Sequence, residues 1–136
     1  MDSSFSNNRS ILWADDDPDD LMLMKDVLKE THQFFKIVEV HNGMQALSYL
    51  KKCNPSDLPC LIILDMNMPV LNGQETLAIL KNEKDYHSIP IVVFTTSNSE
   101  LDKAFCNRYN VDMITKPPEY SSLHQVIMKL LSYCNE

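Results

Sequence analysis

Short apolar runs alternate along this chain with longer stretches in which apolar residues return every third or fourth position. SILWA (10–14), KIVEV (36–40), CLIIL (60–64), PIVVF (90–94) and VDMIT (111–115) predict five strands. Between them, LMLMKDVLKETH (21–32) places apolar residues at 21, 24 and 28 and at 23 and 27, which is helical spacing. Met44, Leu47 and Leu50 mark a second helix, and Leu77 and Leu80 a third. Leu101, Phe105, Arg108 and Tyr109 outline a fourth, and Leu123, Ile127, Leu130 and Cys134 a fifth. Residues 54–59 and 67–73 read as loops. Asn42-Gly43 and Asn72-Gly73 read as turn signals, the second helping to shape its loop. Five strand–helix units in strict alternation favour an α/β fold, a parallel sheet with helices on both faces. The weaker second strand belongs at an edge. Residues 1–8 are polar and expected to fray. Residues 9–136 form one predicted domain, with no repeat, linker or room for a second.

Composition narrows the classes. Of 136 residues, 44% are hydrophobic, enough for a core. The net charge of −7, with no basic stripe, disfavours nucleic acid as a partner. No apolar run is long enough to span a membrane, and no leader pattern opens the chain, so a cytoplasmic protein without a membrane partner is expected. Cys53, Cys60, Cys106 and Cys134 are scattered without a C-x-x-C pair, and reduced thiols are predicted rather than a zinc site or a disulfide. With only Gly43 and Gly73, no glycine-rich phosphate loop exists. His32, His41, His87 and His124 show no ligand spacing.

The unusual polar residues cluster where apolar runs end. ILWA runs into Asp15 and Asp16, LIIL into Asp65, IVVF into Thr95, and DMIT into Lys116. In open parallel sheets, ligands bind outside the carboxyl ends of the strands, where strand order reverses. Asp15, Asp16 and Asp65 converge there if strands one and three are neighbours. Two carboxylates about 4 Å apart repel by roughly 4 kcal/mol at an effective dielectric near 20, so a crowded cluster calls for a hard divalent cation. Such a cation would also neutralise charge on a phosphoryl group in transfer. Lys116 could pair with one phosphoryl oxygen and the Thr95 hydroxyl with another. Asp65, alone at its strand end, is the candidate nucleophile, because Asp can form an acyl phosphate. The rest of DDDPDD starts a helix: Asp17 as N-cap, Pro18 at N1, and Asp19 and Asp20 in the first turn, where negative charge suits the helix dipole. Trp13 is expected to pack in the sheet.

ILWADDDP, LIILDMNMPVLNG, IVVFTT and ITKP resemble, in order and spacing, the receiver domain of two-component response regulators. The resemblance covers residues 9–134 and looks closest to stand-alone receivers, including those partnered with phytochrome-type kinases. It implies a flavodoxin-like, doubly wound sheet in the order 2-1-3-4-5 with five helices. It also implies phosphorylation of Asp65 by a sensor histidine kinase. Mg2+ or Mn2+ would be held by Asp15 (mainly through water), Asp16, Asp65 and the Asn67 backbone carbonyl. Thr95 and Lys116 would sense the phosphoryl group, and the Lys116–Pro117 bond is often cis in such domains. The signal would leave through the fourth helix, fifth strand and fifth helix, toward a kinase, a second copy or a downstream protein.

Two positions depart from the family pattern. Met113 stands where receivers usually carry Tyr or Phe, so the signal is expected to run through Thr95 and its loop, with Met113 repacking. Thr96 replaces a smaller residue and is expected to slow hydrolysis. Rival readings are a phosphorelay intermediate passing phosphate to a histidine phosphotransfer protein, a Mg-dependent phosphatase of the haloacid dehalogenase type, and a flavodoxin-like electron carrier. The phosphatase lacks its second acid, because position 67 is Asn67. The electron carrier would need a Ser/Thr-rich phosphate loop where this chain has aspartates.

Overall fold

The computed structural model describes residues 9–30 and 35–135. The segment 1–8 and the last two residues of the predicted first helix lie outside them. The strands are β1 (Ser10–Ala14), β2 (Lys36–Val40), β3 (Leu61–Leu64), β4 (Ile91–Thr95) and β5 (Asp112–Thr115). The helices are α1 (Pro18–Glu30), α2 (Gly43–Lys52), α3 (Gly73–Asn82), α4 (Glu100–Arg108) and α5 (Tyr120–Ser132). One parallel sheet runs in the order β2-β1-β3-β4-β5, the doubly wound order expected. Strand β2 is an edge, which accounts for its weak apolar pattern.

The period-two alternation of each strand divides the core. Leu12, Ala14, Ile62, Leu64, Ile91 and Val93 face α2, α3 and α4, meeting Ala46, Leu50, Leu77, Leu80 and Cys106. Ile11, Trp13, Leu61, Ile63, Val92 and Phe94 face α1 and α5, meeting Leu23, Met24, Val27, Leu28, Ile127 and Leu130. Strands β1, β3 and β4 are buried on both faces, so they read as continuous apolar runs.

Three expectations are corrected. Asn42 and Asn72 do not make turns but cap α2 and α3, accepting the N–H groups of Gln45 and Glu75; Glu75 completes a capping box. Each glycine is therefore the first helical residue. Its smallness serves close packing: a Cβ on Gly43 would sit 1.9 Å from Thr76 Oγ1, and one on Gly73 2.4 Å from the Asp65 carbonyl oxygen. The cysteines are not all reduced thiols, because Cys60 and Cys134 form a disulfide. They are 74 residues apart in sequence, but the start of β3 and the end of the α5 region meet at the base of the sheet. Cys53 and Cys106 are free. Finally, no described peptide bond is cis, so Lys116–Pro117 is trans.

Candidate functional site

Asp15 and Asp65 are the residues that follow β1 and β3. Adjacent strands in register carry them to the same rim, and the Asp65 N–H donates to the Ala14 carbonyl (3.0 Å). Both continue the alternation of Ile11 and Trp13, and of Leu61 and Ile63, so they share the α1/α5 side of the sheet. Asp15, Asp16 and Asp65 can each offer an oxygen with all three oxygens within 4.8 Å. Asp15 and Asp65 are buried and Asp16 is exposed, which leaves a mouth to solvent. The three carboxylates fit a hard divalent cation, which takes oxygen ligands and keeps part of its water.

Two backbone groups orient this cluster. Asp17 N–H donates to Asp15 Oδ1 (2.9 Å), and Asn67 N–H donates to Asp65 Oδ1 (3.2 Å). The second bond holds the Asn67 backbone beside the carboxylates. The other oxygen of each aspartate faces Lys116: Nζ lies 2.9 Å from Asp15 Oδ2 and 3.3 Å from Asp65 Oδ2. Strand β5 and the Lys116 N–H, which donates to the Thr95 carbonyl (2.7 Å), deliver that side chain. Burial pushes the Asp15 carboxyl up to about 7, against the pull of Lys116 and of the Asp17 N–H. Burial alone would lower the Lys116 ammonium, but Asp20, Asp15 and Asp65 together hold it above its ordinary value. It stays charged at any physiological pH.

Asp20 falls in the first turn of α1 as expected, but sequence reasoning gave it only a favourable place on the helix dipole and missed its contact with Lys116. As expected, Asp17 caps α1, accepting the Asp19 N–H (3.0 Å). Asp20, though, is buried, and its Oδ2 lies 2.6 Å from Lys116 Nζ, the shortest of the three contacts. The signal was present in the helical phase. Asp20 precedes Met24 by four residues and Leu23 by three, so it shares the stripe that α1 buries.

Thr95 ends β4, fully buried, and its Oγ1 accepts the Ser97 N–H (3.2 Å). From Ser97 the contacts continue. Its hydroxyl donates to Asp102 on α4 (2.6 Å), and Asp102 also accepts from Gln74 on α3. Thr96 is exposed, and Met113 is half-buried against the α2–α4 side of the core. Trp13 is buried as expected and meets Phe94 edge to face at 5.8 Å, and Lys116 Nζ lies 5.5 Å from the centroid of that same Phe94 ring. A separate cavity of about 460 Å³, lined by Ser10, Lys36, Tyr49, Lys52, Cys53 and Asp57, shares no residue with the acidic cluster.

Known proteins carry the same arrangement of elements. Rcp1 of Synechocystis sp., a response regulator, is 31% identical over 127 residues, which cover 90% of this chain and 86% of Rcp1. PilH of Pseudomonas aeruginosa is 27% identical over 124 residues, covering 90% and 97%. The crystal structure of the phosphorylated cyanobacterial phytochrome response regulator RcpA matches with a TM-score of 0.85 at 30% identity, over 94% of each chain. The Mn2+-bound form of Rcp1 matches with a TM-score of 0.82 at 30% identity, over 91% of this chain and 92% of that one. Residues 11–128 match the response regulator receiver domain. With its motifs at successive strand ends and the match spanning most of its length, the chain belongs to the response regulator receiver domain family.

Proposed function

We propose that this chain accepts a phosphoryl group on Asp65 from a sensor histidine kinase, in a Mg2+-dependent reaction, and signals by altered protein binding. The observation that carries the reading is the shared rim, where three carboxylates lie within ligand reach of one another and the buried ammonium of Lys116 lies 3.3 Å from Asp65. A divalent cation bound by Asp15, Asp16, Asp65 and the Asn67 carbonyl would offset the negative charge that the phosphoryl group brings. The residues do the rest. Asn67 N–H fixes the Asp65 carboxylate, and Lys116 offers a positive charge to a phosphoryl oxygen. The Thr95 hydroxyl, already accepting from Ser97, keeps its own proton to donate to another. In an in-line transfer, the P–N bond of a phosphohistidine breaks as an O–P bond to Asp65 forms, and the electron pair returns to the imidazole nitrogen.

Capture of the Thr95 hydroxyl by the phosphoryl group would pull on Ser97 and, through Asp102, on α4. This route needs no ring at position 113, and Met113 repacks behind it. The α4–β5–α5 face would carry the change to a second copy or a downstream protein. The likeness to Rcp1 and to RcpA, a phytochrome response regulator, supports a phytochrome-type kinase as the donor. We place the reaction in the cytoplasm, with the sensor kinase that would present the phosphohistidine.

Incubation with Mg2+ and acetyl phosphate, read by intact mass, tests the reading. A single phosphoryl adduct on the wild type, lost in Asp65→Asn, is expected. No adduct, or one that persists in Asp65→Asn, overturns it. Mg2+ binding is expected to change the Trp13 emission, through the Phe94 ring that Lys116 approaches, and Asp16→Ala should abolish the change, with calorimetry as the parallel measure.

A further inference from the structure

We propose that Asp20 is a positioning residue for the phosphoryl transfer, anchoring the Lys116 ammonium from α1 while the other two carboxylates on that ammonium take part in the reaction. This rests on the role proposed above for Asp65. Three carboxylates surround the ammonium: Nζ donates to Asp15 (2.9 Å) and Asp65 (3.3 Å), and Asp20 Oδ2 forms the shortest ion pair with it at 2.6 Å. Asp15 and Asp65 have a second claim on their oxygens, because with Asp16 they form the set that can hold a divalent cation, and Asp65 is also the phosphoacceptor. Asp20 lies outside that set and has no such competing duty.

The anchor is stiff. Asp20 is in the first turn of α1, whose start is fixed by the Asp17 cap and whose buried stripe of Leu23, Met24, Val27 and Leu28 packs on the sheet. Lysine has a flexible four-carbon stem, and an unanchored one must give up rotamer freedom to reach the phosphoryl oxygen. As Asp65 becomes an acyl phosphate, its carboxylate charge is lost as a partner for Lys116. Asp20 still holds Nζ in place, so the ammonium meets the phosphoryl oxygen without searching for it.

Phosphorylation by acetyl phosphate at saturating Mg2+ provides the first test, with the rate measured by intact mass in the wild type and in Asp20→Asn. The maximal rate is expected to fall about tenfold in the variant, while the half-saturating donor concentration changes by less than about threefold, because the loss concerns positioning rather than donor binding. A rate within about twofold of wild type overturns the proposal, as does an equal change in both parameters. The second test needs no variant. A crystal structure of the wild type with Mg2+ and beryllofluoride should show Nζ on the beryllofluoride and still within about 3.2 Å of Asp20; an ammonium that has left Asp20 overturns the proposal. A wild type that takes no phosphoryl group refutes the proposed function itself. A phosphorylated wild type with an unaffected Asp20→Asn refutes this inference alone.

Discussion

Replacing Gly73 with Ala should damage both stability and the candidate site, for one geometric reason. Gly73 opens α3 directly against the backbone that follows β3. A Cβ there would lie 2.4 Å from the Asp65 carbonyl oxygen, 2.6 Å from Met66 Cα and 3.0 Å from the Asp65 carbonyl carbon. All three are backbone atoms, so no side chain can swing aside. Restoring ordinary contact requires α3 and the Asp65 segment to separate by about 1 Å. That separation also stretches the bond from Gly73 N–H to the Met66 carbonyl, now 3.1 Å. Overpacking costs about 1–3 kcal/mol and the weakened bond about 1 kcal/mol, against up to about 1 kcal/mol returned by the better helix propensity of Ala. The net loss is about 2 kcal/mol. Urea unfolding of wild type and Gly73→Ala, with an unchanged slope, reads it directly. Phosphorylation by acetyl phosphate should also slow, because the strain falls on Asp65, the proposed acceptor. Stability within about 0.5 kcal/mol of wild type would show that the two segments separate freely and would refute the argument.

Three further outcomes follow from other positions. Val70 is highly exposed and holds a φ of 69°, a left-handed conformation costly for a β-branched residue, so Val70→Asn should raise stability by about 1 kcal/mol in the same urea assay. Cys134→Ala removes a cross-link between residues 74 apart in sequence; loop-closure entropy sets a loss of about 4 kcal/mol, and thermal unfolding of the oxidised wild type beside the variant measures it. Burial pushes the Cys106 thiol up to about 11, with Asp102 adding to the shift, which leaves about one thiolate in a thousand at pH 8. Iodoacetamide on the native protein should therefore modify half-buried Cys53 and spare Cys106, with alkylation of Cys106 appearing only as the pH approaches its raised value or the protein unfolds. Peptide mass mapping distinguishes the two sites.

The five strands and the polar residues that end them were legible in long, regular signals, whereas the strand order that brings Asp15, Asp16, Asp65 and Lys116 together was implied only by the resemblance to receiver domains. Apolar runs name the strands, and the parallel fold collects whatever polar residues end them. What escaped depends on contacts between distant segments or on the phase within one. Cys60 and Cys134 carry no local pattern, and only the return of the chain after α5 to the base of β3 makes them neighbours. Asp20 looked like one more acid favourable to the helix dipole. Its place on the buried stripe of α1 distinguishes it from exposed Asp19, and that place can be read from the helical phase once the core face is known. Asn-Gly is ambiguous by chemistry, since Asn both starts turns and caps helices. Only the packing of Gly43 and Gly73 against neighbouring segments shows which use applies.

The cross-link at the base of the sheet has a mechanical consequence. Arg9 Nη1 also donates to the Cys134 carbonyl (2.9 Å), so the chain just after α5 is fastened twice, while the near end of α5 is joined to β5 by the short segment 116–119 that begins with Lys116. Two tethers at one end of a helix make that end the fulcrum of any tilt it undergoes. A displacement at the lysine end would then swing its first turns and leave its last turn in place. A partner reading the upper part of α5 would register the swing, and one gripping its foot would not. While the bond is intact, α5 also cannot be traded between two copies of the chain.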